Sequence, residues 1–117
     1  MAAVQSLTEM DDWLSLWEES KTTKTSLLIF KRSPICPTSH YIEEIFKHFV
    51  MQLPATDTLR IFSVDVIGSR PISQRIAQDS GVQHESPQAI LIKPGQKIAW
   101  HASHGDIDDA ALTKHLT

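Results

Sequence analysis

The spacing of apolar positions changes period several times along the chain, and each change marks an element. Met10, Trp13, Leu14 and Trp17 recur at helical spacing behind Ser6 or Thr8 as N-cap. Glu9, Asp11 and Asp12 add the negative charge that a first turn favours, and the two tryptophans read as core anchors. A polar loop follows over residues 20–26. Leu27-Leu28-Ile29-Phe30 is a continuous apolar run bounded by polar residues, which predicts a strand over 26–30 covered on both faces and ended by Lys31 and Arg32. Tyr41, Ile42, Ile45, Phe46, Phe49, Val50 and Leu53 return to the helical period, and Pro54 stops it.

The second half repeats the alternation. Residues 59–67 are apolar and β-branched, interrupted by Asp65 and closed by Gly68, and predict a second buried strand. Ser69 caps a helix that turns Ile72, Ile76 and Ala77 inward, Gly81 takes its left-handed end and Val82 covers that end. Ala89-Ile90-Leu91-Ile92 and residues 97–101 form a hairpin across a type II turn at Lys93-Pro94-Gly95-Gln96. A last helix over 107–116 carries Asp106 as cap, acids at its start and Lys114 and His115 at its end. The order α, β, α, β, α, β, β, α predicts an α/β domain spanning 1–117, with a mixed four-stranded sheet and helices on both faces.

Composition narrows the function. The 117 residues carry a net charge of −3 with both signs interspersed, so nothing marks a nucleic-acid or membrane surface. No apolar run approaches the roughly 18 residues of a membrane span, and no signal-peptide pattern opens the chain, so the expected location is cytoplasmic. Cys36 is the single cysteine, which suits a reducing compartment.

Cys36 also carries the candidate chemistry. It stands between the first strand and the helix that follows, as N-cap, with Pro37 at the first helical position where its fixed φ fits and its missing N–H costs nothing. The sulfur then faces the free amides of Thr38 and Ser39, and a helix N-terminus stabilises a thiolate. Pro34 holds Ser33 extended and predicts a sharp turn before the cysteine. Lys31 and Arg32 read either as a solvated strand end or as cations that favour the thiolate; His40 reads either as an exposed helical residue or as a tuner one turn from the sulfur. Six histidines include the pair His101 and His104 and the Cys36–His40 pair, but zinc needs three or four convergent ligands, and no metal is expected.

These residues resemble a known family. Cys36-Pro37-Thr38-Ser39 in a strand-to-helix turn, a Ser-Pro before the hairpin and this element order resemble the thioredoxin fold. Phe30-Lys31-Arg32-Ser33 ahead of the cysteine, Gly81-Val82-Gln83-His84-Glu85-Ser86-Pro87-Gln88, Leu91-Ile92-Lys93 and Ala102-Ser103-His104 resemble the monothiol bacilliredoxins. Thr38, Pro34-Ile35 and Gly105 depart from the family pattern and bear on partner preference.

The resemblance implies a monothiol thiol–disulfide oxidoreductase in which Cys36 takes bacillithiol, a low-molecular-weight thiol co-substrate, from mixed disulfides on client proteins. Ser39 stands where thioredoxins place a second cysteine, so an external thiol or a partner redoxin must resolve the adduct. Ser39 reads either as a hydrogen-bond partner of the sulfur or as a cap for a helix amide. The resemblance further implies a cis Pro87 opposite the cysteine, with the Ser86 backbone, Pro37, Thr38 and Ser39 meeting an extended substrate; a monomer is expected. Two other functions fit the same residues: an iron–sulfur cluster carrier of the monothiol-glutaredoxin type, and a non-catalytic thioredoxin-fold adaptor.

Overall fold

The computed structural model describes residues 2–117. Its elements are β1 (Val4–Ser6), α1 (Met10–Glu19), β2 (Ser26–Arg32), α2 (Pro37–Met51), β3 (Leu59–Asp65), α3 (Arg70–Ser80), β4 (Gln88–Lys93), β5 (Lys97–Ser103) and α4 (Asp109–Leu116), with a 3-10 turn over His104–Asp106 between the last two. The strands form one sheet in the order β1-β3-β2-β4-β5. β1, β3 and β2 run parallel, and β4 and β5 are antiparallel.

The sheet therefore has five strands, not four. β1 is three exposed residues without an apolar run, and pairing with β3 at Val4–Ile61 and Ser6–Ser63 defines it. Ser6 consequently belongs to a strand, and Glu9 takes the N-cap position of α1 without a side-chain bond. A second correction concerns the last helix: Asp106 ends the 3-10 turn, and Asp108 is the cap of α4, accepting from the Ala111 amide at 2.9 Å. Ser69 occupies the N-cap position of α3, also without a side-chain bond.

Both sheet faces are covered, as the two-sided apolar strands require. Leu27 and Ile29 of β2 face α1 and α3 with Trp13, Phe62, Ile76 and Ile90, while Leu28 and Phe30 face α2 and α4 with Ile42, Phe46, Leu91 and Leu112. Each fully buried aliphatic side chain contributes about 1.5–3 kcal/mol relative to exposure, so this alternation sets the register of the central strand. Phe30 stacks on Phe46 with centroids 4.3 Å apart, joining β2 to the helix that begins at the cysteine. Trp13 is fully buried, stacks on Trp17 at 5.7 Å and donates its indole N–H to Asp79 at 2.9 Å, which ties α1 to α3. Tyr41 departs from the helical period read for it and is two-thirds exposed.

Gly81 ends α3 at φ 75, and Val82 beyond it is buried. In the hairpin both Gly95 (φ 84) and Gln96 (φ 60) are left-handed; a type II turn accounts for the first, and the second brings the chain into β5. The amides of both donate to the Ser20 carbonyl, at 2.7 and 3.2 Å, which fastens the turn to the end of α1.

Candidate functional site around Cys36

β2 ends at Arg32, and after four intervening residues the chain enters α2 at Pro37. Cys36 is extended, at φ −99 and ψ 118, and its carbonyl accepts from the His40 amide at 3.0 Å, so it is the N-cap and Pro37 the first helical residue. The thiol is half-buried. Its sulfur makes no hydrogen bond to the Thr38 or Ser39 amides, although it stands at the helix N-cap position. Ile35, Pro37, Thr38 and Tyr41 are exposed around it.

Ser39 lies elsewhere than either expectation placed it. It is fully buried, and its hydroxyl oxygen accepts from the Ser33 amide at 2.8 Å, bridging the end of β2 to the first turn of α2. It therefore closes the cysteine loop from within, sealed from solvent.

The flanking cations are likewise committed. Arg32 Nε donates to both carboxylate oxygens of Glu43, at 3.0 and 2.9 Å, and its guanidinium lies 3.8 Å from Asp65, while Lys47 approaches Glu43 at 3.5 Å. Lys31 is fully buried and donates to the Ser73 carbonyl at 3.0 Å, with His84 Nδ1 at 3.1 Å. Burial lowers its amine to about 8. Neither cation bonds the sulfur, and His40 is exposed with an imidazole that has no hydrogen-bond partner among the described residues. Asp65 accepts from the Ile67 and Gly68 amides, each at 2.9 Å. The Gly68 bond is the largest influence holding its carboxyl below the usual carboxylate range; burial opposes it, and the Ile67 bond and Arg32 assist.

The Ser86–Pro87 peptide bond is cis. Pro87 is buried, and its carbonyl accepts from the His104 amide at 3.0 Å. Ser86 Oγ and Gln88 Oε1 are buried without hydrogen-bond partners among the described residues, whereas Gln88 Nε2 donates to the Gln83 carbonyl at 2.9 Å. His84, Ser73 and Glu43 are the participants that residue-by-residue reading missed. The signal for His84 and Ser73 lay in β2 itself: Leu27, Ile29 and Lys31 share a face, so the strand period buries the lysine and demands acceptors for it. Among the described residues no three His, Cys, Asp or Glu side chains are grouped to hold a metal ion.

Solved structures share this architecture. A thioredoxin-fold protein proposed to be an oxidoreductase is 27% identical, with a TM-score of 0.77 over 97% of this chain and 94% of its own. Thioredoxin from Malassezia sympodialis is 20% identical, with a TM-score of 0.71 over 100% of this chain and 94% of its own. Thioredoxin O2 from Arabidopsis thaliana, in its oxidized state, is 12% identical, with a TM-score of 0.76 over 99% and 96%. The fold is thioredoxin-like. Residues 5–112 match the family described as monothiol bacilliredoxin BrxC, nearly the whole length, and the chain belongs to the monothiol bacilliredoxin family.

Proposed function

We propose that this protein is a monothiol thiol–disulfide oxidoreductase whose Cys36 removes bacillithiol from mixed disulfides on client proteins. The observation that carries the reading is the place of its one cysteine: an accessible N-cap thiol between β2 and α2, in a thioredoxin-like chain of the monothiol bacilliredoxin family. A positive helix end favours the thiolate, which is the attacking species in disulfide exchange.

The step balances as a substitution at sulfur. Cys36 thiolate attacks the bacillithiol sulfur, the client sulfur leaves as thiolate and takes a proton from water, and the disulfide now joins Cys36 to bacillithiol. Ser39 supplies no sulfur to attack that adduct, so a second thiol molecule or a partner redoxin completes the cycle. Pro37 and Thr38, exposed at the helix start, and the Ser86–Pro87 backbone are the surfaces we assign to the substrate. The chemistry suits the cytoplasm, where thiols are kept reduced.

The test is release of client thiol from a purified bacillithiolated protein. Wild-type chain frees it, Cys36→Ser does not, and equal release by both refutes the reading. A client left untouched by both favours the non-catalytic adaptor, and a visible absorption band in protein purified anaerobically favours the cluster carrier.

A further inference from the structure

The buried lysine leads to a second site. An ammonium only donates, so His84 Nδ1, 3.1 Å from Lys31 Nζ, accepts, and the neutral ring carries its proton on Nε2. Ser73 presses on the same nitrogen, its hydroxyl 3.3 Å away. His84 is pulled below its ordinary value by burial first, then by the charges of Lys31 and Arg70, with Glu85 opposing, so at neutral pH the ring is uncharged and offers an Nε2–H donor.

His84 borders a cavity of about 210 Å³ whose other walls are Val66, Ile67, Arg70, Ser73 and Gln74. Arg70 has no ion-pair partner among the described residues, and as the first residue of α3 it stands where the helix dipole adds positive potential. No acid lines the cavity. The acids next to it in sequence are Asp65, held by the Ile67 and Gly68 amides and Arg32, and Glu85, 3.5 Å from His104 Nδ1. A guanidinium fork, an imidazole N–H and the Gln74 amide beside an apolar wall suit a carboxylate on a short carbon chain.

Topology brings this cavity to the same end of the sheet as the cysteine. β2 runs out four residues before Cys36, the parallel β3 ends just before Val66, and the antiparallel β4 begins four residues after His84, with Lys31 opposite both Val64 and Gln88. We propose that the cavity is a carboxylate subsite for a low-molecular-weight thiol that itself bears a carboxylate and is carried on Cys36, with Arg70 and His84 as donors and Lys31 as the positioning residue beneath His84. The assignment rests on the thiol-transfer reading above; the cavity's affinity for a carboxylate does not.

Two measurements test it. In the first, the full chain is titrated with sodium succinate, a sulfur-free probe, and followed by NMR. Saturable shifts at His84 and Arg70 that vanish in Arg70→Gln support the subsite; absent shifts, or equal binding of inorganic phosphate, overturn a carboxylate site. In the second, one client is modified either with bacillithiol or with uncharged 2-mercaptoethanol. Arg70→Gln should slow transfer of the bacillithiol adduct by about tenfold and leave the mercaptoethanol adduct unchanged, since a charge-assisted bond contributes on that order. Equal slowing of both adducts overturns the assignment to the small thiol and points to the client. If Cys36 accepts neither adduct, the transfer reading fails, and the succinate titration still decides the cavity. Lys31→Met should move the His84 imidazole toward a mixture of tautomers in ¹⁵N shifts and weaken succinate binding, while Lys31→Arg should retain the Nε2–H form; unchanged shifts in the methionine variant remove Lys31 from the proposal.

Discussion

The Ser33 amide donates to the Ser39 hydroxyl oxygen at 2.8 Å, across the loop that holds Cys36. This bond joins the chain after β2 to the first turn of α2, and its Ser39 end is fully buried. Removing the hydroxyl leaves a backbone donor with no partner beneath the cysteine.

Ser39→Ala should therefore lower stability by about 1–2 kcal/mol and slow adduct formation on Cys36 several-fold, because the loop loses its internal brace. Urea unfolding reads the first effect and a mass-spectrometric time course the second. An unchanged time course would mean that the helix start alone sets the position of the sulfur.

The buried lysine predicts a rise of stability with alkaline pH. The Lys31 amine falls from 10.5 to about 8 on folding, so between those values the unfolded chain holds a proton that the folded chain has released. The cost of burying the charge is full below pH 8 and fades as pH climbs toward 10.5, a change of roughly 3 kcal/mol at about 1.4 kcal/mol per pH unit. Urea midpoints at pH 7.5 and pH 10 should show this gain in wild type relative to Lys31→Met, which lacks the group. His84 adds an acid limb: its depressed value means that stability declines as pH drops below 6.5, where the unfolded ring protonates first.

Sequence periodicity made most of this architecture legible, because β2 and β3 are apolar on both faces and α2 keeps its stripe through Ile42, Phe46, Phe49 and Val50. Cys36 was legible as N-cap because Pro37 marks the helix start. What escaped was decided by distant partners. β1 exists through its ladder with β3, 57 residues away, and Val4-Gln5-Ser6 alone has no strand signature. The destinations of Lys31 and Arg32 depend on Ser73, His84 and Glu43, which the fold brings in from α3, the segment before β4 and α2. Asp108 displaced Asp106 as cap because the 3-10 turn that ends at Asp106 delays the helix by two residues.

Arg32 belongs to a charge cluster beside the site. Glu43, with a side chain only 10% exposed, binds Arg32 and Lys47 together. Glu43→Gln should cost about 1–2 kcal/mol, since it leaves the half-buried Arg32 with the more distant Asp65 alone. It should leave adduct formation on Cys36 within about twofold, because neither Glu43 nor Arg32 bonds the sulfur. A large change in rate would show that the Arg32 charge reaches the sulfur.

In the proposed exchange Cys36 itself accepts the small thiol. The most direct measurement mixes the protein with a stoichiometric bacillithiolated client and takes the intact mass of both chains, with fragmentation to place the adduct. The client should lose one bacillithiol as this chain gains one on the peptide containing Cys36, and Cys36→Ser should gain none. Release from the client with no mass gained on Cys36 would contradict it.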